Sequence, residues 1–215
     1  TLSGLSAYDG DTIFAVATVK VTNGQAKTKA PTNSTATITY SASTSTYDLG
    51  EVDIRSITSI VDAASENVTN KFILDNGQRD SFYDTGKVIL KGGETLAAGN
   101  FVVTFTCFRH EGSGDYFSVD SYGQIAYEDI PSYQGVELRD CVDFRPTKAR
   151  TGASAGAEFS AGTGSIVSKA IQPVGTVSLD FKHYLSRIDK LFLTKTGKYR
   201  LVKGLSLIHI SEPTR

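Results

Sequence analysis

Apolar and polar residues alternate with a period of two along much of this chain, which is typical of β-strands buried on one side. Residues 12–21 place alternate apolar side chains on one face, and residues 35–40 set three apolar side chains opposite three threonines. No long stretch carries the i, i+3, i+4, i+7 spacing of an amphipathic helix. We therefore predict a mainly β protein.

The strongest strand signal covers residues 101–108. Its alternation puts Phe101, Val103, Phe105 and Cys107 on one face, and a period of two predicts that such a set faces the core. Cys107 is accordingly expected to pack as a small hydrophobic side chain.

Shorter apolar runs bounded by turn-forming residues predict the other strands. These runs cover residues 52–61, 71–74, 86–91, 136–144, 174–184, 188–193 and 199–202. The last two are expected to form a hairpin, with Gly197 at the left-handed position of its turn. Residues 63–70 are predicted as either a short helix or a connecting loop.

A stretch rich in Gly, Ala and Ser follows residue 146 and has no sustained period. We predict a flexible linker or long loop there. The expected organisation is an N-terminal β region (1–70), a β domain (71–146), the linker (147–170), a C-terminal hairpin region (171–204) and a tail (205–215). The predicted architecture is an antiparallel, sandwich-like set of strands and hairpins with one long Gly/Ala/Ser-rich loop.

The two ends of the chain have unusual features. The 215 residues begin at Thr1 and include no Met, from which we expect a fragment or a processed product. Residues 205–215 resemble the translated read-through of a sequencing-library adapter. We therefore exclude that tail from the reasoning on fold and function.

The charge balance restricts the classes of partner. Lys and Arg total 22 against 23 Asp and Glu, a net charge of -1. Without a basic excess, neither nucleic acid nor an anionic membrane surface is an expected partner. The apolar runs are also far shorter than the roughly 18 residues of a membrane-spanning helix.

Sequence motifs for hydrolytic or cofactor chemistry are missing. No nucleophile elbow, phosphate-binding loop or dinucleotide fingerprint occurs. Ser113, His110 and Asp115 form a conceivable triad, but the Gly-Ser-Gly context of Ser113 favours a turn. We expect no enzymatic activity and no cofactor.

The two cysteines, Cys107 and Cys141, lie far apart in sequence, with His110 near only the first. No transition-metal site is therefore expected. Such sparse cysteine usage favours two free thiols, and one disulfide is the alternative.

Three carboxylates, Asp75, Asp80 and Asp84, cluster around a predicted turn. Their oxygens could hold calcium, although the EF-hand spacing is absent. A pair of them could also serve a glycoside hydrolase, which needs two carboxyl groups across a sugar cleft. The simplest interpretation is that they make turn hydrogen bonds and ion pairs with Arg79.

Four tyrosines, Tyr116, Tyr122, Tyr127 and Tyr133, lie in a polar stretch between strands. Flat amphipathic rings in a loop offer contact area for a sugar or a protein partner. In the alternative, the rings pack on the core and form hydrogen bonds through their hydroxyl groups.

Four segments of the chain have a family resemblance when taken together. They are residues 72–84 with the strand at 86–91, residues 129–133, residues 139–146, and residues 184–190 leading into 197–199. In this order they resemble an uncharacterised domain family of large structural proteins of tailed bacteriophages, especially T-even-like cyanophages. The family usually has a proline in the last segment, where this chain has Ser186.

The resemblance implies a virion component of the tail fibre or baseplate, assembled in the host cytoplasm, with no known enzymatic activity. Its expected partners are other tail or baseplate proteins, further copies of the chain, and possible host surface glycans. The alternatives are a carbohydrate- or receptor-binding β module and, third, a glycoside hydrolase.

The resemblance also implies an architectural role for one set of residues. They are Asp75, Gln78, Arg79, Asp80, Tyr83, Asp84, Asp143, Phe144 and Arg145. We expect a buried network of arginine and carboxylate groups that fixes turns and strand register.

Overall fold

The computed structural model describes residues 17–112, 114–150, 171, 175–179, 188–202 and 204. These residues are mainly β, as the sequence predicts, and their helical segments are single 3-10 turns. The strands are β1 (Thr28–Tyr40), β2 (Thr46–Val52), β3 (Ile54–Val61), β4 (Phe72–Asp75), β5 (Thr85–Leu90), β6 (Gly99–Glu111), β7 (Ser132–Tyr133), β8 (Val136–Glu137), β9 (Lys190–Leu193) and β10 (Tyr199–Val202).

Six of these strands form two antiparallel sheets. The first has the order β1-β6-β3 and the second has the order β2-β5-β4. Each sheet combines strands from both sides of residue 70, so the predicted division there does not separate two folding units. Residues 28–111 form one unit because their strands share hydrogen-bonded ladders and a single core.

The central strand β6 has the predicted alternation. Phe101, Val103 and Phe105 are fully buried and Cys107 is nearly so, whereas Val102 is 45% exposed. The prediction for this strand is therefore confirmed, including the packing of Cys107 as a core residue.

The main core contains side chains from all six strands of the two sheets. Its buried members are Ile38, Tyr40, Tyr47, Leu49, Ile54, Ile60, Val68, Phe72, Val88, Phe101, Val103, Phe105 and Cys107. The rings of Tyr40 and Phe101 stack with centroids 5.2 Å apart. Burial of this shared apolar surface holds the two sheets together.

The prediction of one apolar segment over residues 52–61 is wrong. Asp53 has a positive φ of 50° and separates β2 from β3, which belong to different sheets. The preceding strand, β2, was missed because its polar positions weaken the apolar pattern, although Tyr47 and Leu49 are buried.

The polar stretch after β6 folds around a second, smaller core. Phe108, Val119, Tyr122, Ile130 and Leu138 form its buried part. Phe108 lies on β6, Val119 and Tyr122 lie in one 3-10 turn, and Leu138 begins another. The strand predicted over residues 136–144 is limited to β8. Residues 63–70 form a connection that ends in the 3-10 turn Thr69–Lys71.

Several predicted segments lie wholly or partly outside the described residues. Of the strand predicted at 12–21, residues 17–21 are described and are not in a strand. Of the strand predicted at 174–184, residues 175–179 are described and are not in a strand either. The other residues of these two predicted strands are outside. Of the predicted linker at 147–170, the structure describes residues 147–150, and residues 151–170 are outside. The tail 205–215 is outside as well.

The C-terminal hairpin prediction is confirmed. β9 and β10 pair in antiparallel fashion, and Gly197 in their turn has a φ of +76°. A positive φ at this position favours glycine because a side chain would be strained there.

In the described part of the chain, no helix is long and apolar enough to cross a membrane.

We predict that Phe105→Ala lowers the free energy of unfolding by about 3–5 kcal/mol, since it leaves a cavity in the main core. Val102→Ala, on the opposite face of the same strand, is the control and is expected to cost less than about 1 kcal/mol. Chemical denaturation of both variants measures the difference. Equal destabilisation would contradict the assignment of faces on β6.

Candidate functional site

A buried ion pair lies at the centre of the candidate site. The Lys29 ammonium Nζ is 2.7 Å from Asp53 Oδ2, and the two side chains are 0% and 2% exposed. Lys29 is on β1, and Asp53 occupies the positive-φ position between β2 and β3. A fully buried ion pair is stable only when further hydrogen bonds satisfy both groups.

His110, on β6, contacts the same carboxylate. Its Nε2 is 3.0 Å from Asp53 Oδ2, and its Nδ1 is 2.6 Å from Thr147 Oγ1. Because a carboxylate only accepts hydrogen bonds, these partners place the proton of neutral His110 on Nε2. The hydroxyl of Thr147 then donates to Nδ1.

Tyr83 links the ion pair to a second charged pair. Its hydroxyl oxygen accepts from Lys29 Nζ at 2.8 Å and from Arg145 Nη2 at 2.8 Å. The same hydroxyl donates to Asp143 Oδ2 at 2.5 Å. All hydrogen-bonding positions of this buried phenol are therefore used.

Gln78 and Arg145 complete the network. The Gln78 amide donates from Nε2 to Asp53 Oδ1 at 3.0 Å, and its Oε1 accepts from Arg145 Nη2 at 3.3 Å. Arg145 also donates to Asp143 Oδ2 at 2.7 Å and to the Arg79 carbonyl at 2.9 Å. Both oxygens of Asp53 thus have donors.

Aromatic rings surround the Lys29 ammonium. Its Nζ is 4.2 Å from the ring centroid of Tyr83, 4.6 Å from that of Phe117 and 5.1 Å from that of Tyr122. These distances allow cation–π attraction. The rings also make the surroundings of the ion pair poorly polarisable, which strengthens electrostatic interactions there.

Burial and neighbouring charges shift the pKa values of Lys29, Asp53 and His110. It lowers the pKa of Lys29 despite the opposing charge of Asp53, and it lowers the pKa of His110 to about 4. Burial alone would raise the pKa of Asp53, but the Lys29 charge and the His110 hydrogen bond outweigh it, and that pKa is lowered. At neutral pH Asp53 is therefore a carboxylate beside the neutral imidazole of His110.

The structure brings together four of the residues given an architectural role. Gln78, Tyr83, Asp143 and Arg145 all belong to the buried network. Burial would raise the pKa of Asp143, but its hydrogen bonds from Arg145 and Tyr83 lower it overall.

Sequence reasoning missed Lys29, Asp53 and Thr147, and it placed His110 in a different cluster. The alternation of β1 reverses along its length: Lys29 is buried at an odd position, whereas Ile38 and Tyr40 are buried at even positions. A period-two pattern read from one end therefore places Lys29 on the solvent face. Asp53 carries no local signal, since its partners are all distant in sequence.

The remaining architectural residues form a more exposed set of contacts. Asp75 Oδ1 and Oδ2 accept from Arg79 Nη1 and Nη2 at 2.8 and 2.7 Å. Asp84 pairs with Lys148 and lies 3.6 Å from Arg79 Nη2. Asp80 accepts from Tyr133 and Gln134, and the ring of Phe144 lies 5.8 Å from that of Tyr116.

These contacts do not suit the calcium or glycosidase hypotheses. The Arg79 hydrogen bond lowers the pKa of Asp75, and the Lys148 and Thr85 hydrogen bonds outweigh burial to lower that of Asp84. A glycosidase acid requires a raised pKa. Within the described residues, no group of three or more His, Cys, Asp or Glu side chains could hold a metal ion.

Two of the four candidate contact tyrosines are in the interior. Tyr116 and Tyr122 are each 2% exposed, so their assignment to a ligand or partner surface is wrong. The apolar rings of the loop contribute to packing instead. Tyr127 and Tyr133 are half-buried, and their hydroxyl groups donate to Asp140 and Asp80.

The cysteines and the residues of the conceivable triad are the remaining sequence candidates. Cys107 and Cys141 are both free thiols, and burial raises the pKa of Cys107 to about 11. His110 is buried against Asp53 and Thr147, and Ser113 lies outside the described residues.

Comparisons with protein-family models, curated proteins and solved structures returned no match to this chain.

We predict that stability falls as pH decreases from about 6.5 to about 4, because only the unfolded chain protonates its His110 in this window. The lowered pKa corresponds to roughly 3 kcal/mol across the whole window. Urea unfolding at several pH values, compared with His110→Gln, isolates this contribution. NMR titration of the His110 ring in the folded parent is the direct check, and an ordinary pKa near 6.5 would contradict it.

Proposed function

We propose that this protein is a structural component of a phage virion, in the tail fibre or baseplate, and that it acts through protein–protein contacts. The proposal starts from the family resemblance of the four segments. One structural observation supports it: Gln78, Tyr83, Asp143 and Arg145, which the resemblance singles out, are engaged in a buried network. Such an arrangement suits residues that maintain a fold.

A recess on the surface of the sheets is consistent with this role. Its volume is about 280 Å³, and it is lined mainly by apolar residues, among them Ile57, Phe72, Leu74 and Val88, with Arg55 as a charged residue. This lining lacks the paired titratable groups of a catalytic cleft.

The β9–β10 hairpin provides a candidate assembly surface. Leu191 pairs with Leu201 and Leu193 pairs with Tyr199, so these four side chains share one face of the hairpin. They are 65%, 55%, 66% and 76% exposed, respectively. We call these four residues the hairpin face.

An isolated two-stranded hairpin is marginally stable in water. An apolar face of this kind is stabilised when another surface covers it. We assign a second copy of this chain as the occupant, since closed homo-oligomers bury identical patches against each other. The nearly balanced net charge of -1 produces little repulsion between copies.

We predict that the parent chain forms an oligomer and that Leu191→Ser with Leu201→Ser shifts it to monomer. The two substitutions remove a cross-strand apolar pair from the hairpin face without affecting the main core. Sedimentation velocity over a range of concentrations measures the change. Val136→Ser, at another exposed apolar position, is the control and is expected to leave assembly unchanged. A monomeric parent, or an oligomer insensitive to the double variant, would contradict this assignment.

We also predict that peptides of this protein occur in purified phage particles. Trypsin is expected to release residues 72–79 and 80–87, which follow Lys71 and Arg79 and end at Arg79 and Lys87. Mass spectrometry of gradient-purified particles, with the soluble lysate fraction as control, tests the virion location. Consistent absence from particles that contain their other tail proteins would overturn the proposal and favour a carbohydrate- or receptor-binding β module.

A further inference from the structure

The surroundings of Lys29 and Asp53 contain additional hydrogen-bonding groups on both sides of the ion pair. Lys29 Nζ is held against Asp53 Oδ2 at 2.7 Å. A separate donor contacts each oxygen of Asp53, Gln78 at Oδ1 and His110 at Oδ2. On the other side, Lys29 donates to Tyr83, whose hydroxyl donates to the Asp143 carboxylate. An amine, a carboxyl group and the means to move protons between them thus lie together.

We propose that Lys29 and Asp53 condense to form an intramolecular isopeptide bond. The Lys29 Nζ attacks Asp53 Cγ, the Nζ–Cγ bond forms, and the Cγ–Oδ2 bond breaks. Two of the three ammonium protons leave with Oδ2 as water, and the third remains on the amide nitrogen. No oxidant, reductant or further reactant is needed.

Proton movement is the first requirement of this reaction, because the charged pair must become an amine and a carboxylic acid. The first proton crosses the 2.7 Å contact from Nζ to Oδ2. Burial favours this neutral pair relative to its balance in water, since charges are costly in a poorly polarisable interior. After attack, Nζ gives its second proton to the Tyr83 hydroxyl, which passes its own proton to Asp143. Asp143 then returns a proton through the same Tyr83 hydroxyl to the departing Oδ2, which leaves as water.

Stabilisation of the tetrahedral intermediate is the second requirement. Negative charge develops on Asp53 Oδ1, where the Gln78 amide already donates a hydrogen bond at 3.0 Å. Fixed donors aimed at such an oxygen lower the barrier to acyl transfer. The Nε2–H of His110 lies at Oδ2 and orients the leaving oxygen.

Fixed geometry and the low exposure of the pair favour the bond further. Both side chains are almost completely buried; Lys29 is held on β1, and Asp53 is held between β2 and β3. Holding two reactants in contact replaces a bimolecular encounter and gives effective concentrations of about 10⁵ M or more in well-oriented systems. A buried amide product is also protected from hydrolysis, since little water reaches it.

The link would connect the two outer strands of the first sheet. β1 and β3 lie on either side of β6, and Lys29 is directly opposite His110 of β6 in the register. A covalent bond from β1 to the residue before β3 therefore spans the central strand. It also closes a loop in the unfolded chain, which lowers that state's conformational entropy and stabilises the fold.

Mass spectrometry of the full chain tests the proposal. After expression and incubation at neutral pH, the parent is expected to be about 18 Da lighter than its sequence, the mass of one water. Trypsin would then release residues 28–55 as a single internally linked peptide, because a modified Lys29 is not cleaved and no other Lys or Arg lies between Lys27 and Arg55. An unlinked chain would release residues 30–55 instead.

Two substitutions at the reacting positions give opposite expectations. Lys29→Arg keeps the positive charge but is expected to abolish the mass loss. Asp53→Asn is expected to lose ammonia, about 17 Da, and to reach the same final mass as the parent. The parent loses its carboxyl Oδ2 as water and the variant loses its side-chain Nδ2 as ammonia, and both then contain the same amide.

Tyr83→Phe tests the proton relay, because it keeps the ring and removes the hydroxyl. Linking is expected to slow by about a hundredfold or more, with circular dichroism confirming that the variant is folded. Linking at the parental rate would overturn the relay.

The proposal as a whole has a direct contrary result. If the folded parent keeps the full mass of its sequence and trypsin cleaves after Lys29, the pair is an ordinary buried ion pair. A loss of water located outside residues 28–55 would overturn it equally.

Discussion

The burial of one ammonium group, that of Lys29, is the constraint on which the rest of this structure depends. An unpaired charge in such a place would be strongly destabilising, and removing one partner of a buried ion pair typically costs about 3–5 kcal/mol. Asp53 supplies the opposite charge at 2.7 Å. The remaining oxygens and protons then need partners of their own, which His110, Gln78 and Tyr83 provide.

These requirements connect parts of the chain that are distant in sequence. Tyr83 lies before β5, His110 is on β6, and Asp143 and Arg145 follow the second core. Thr147 bonds His110, and Lys148 pairs with Asp84, so the first residues of the predicted linker are fixed to the domain. The network therefore joins the sandwich to the irregular segment after it.

The buried network and the hairpin face have opposite relations to solvent. The buried network satisfies polar groups in the interior, where hydrogen bonds define a unique arrangement. The hairpin face exposes Leu191, Leu193, Tyr199 and Leu201 to water. The exposure of these four apolar side chains is the basis of the proposed assembly through the hairpin face. A covalent link between Lys29 and Asp53 would strengthen such a domain against the loss of an outer strand.

The sequence by itself determined the β class, the inward face of β6 and the β9–β10 hairpin, because each depends on side-chain alternation or on a local turn residue such as Gly197. It also marked Gln78, Tyr83, Asp143 and Arg145 through a resemblance, without their partners. Only the tertiary structure decided that strands from both sides of residue 70 share two sheets, and that Lys29, Asp53 and His110 meet. Their meeting depends on strand order and on the reversal of exposure along β1, and neither is encoded in a local period.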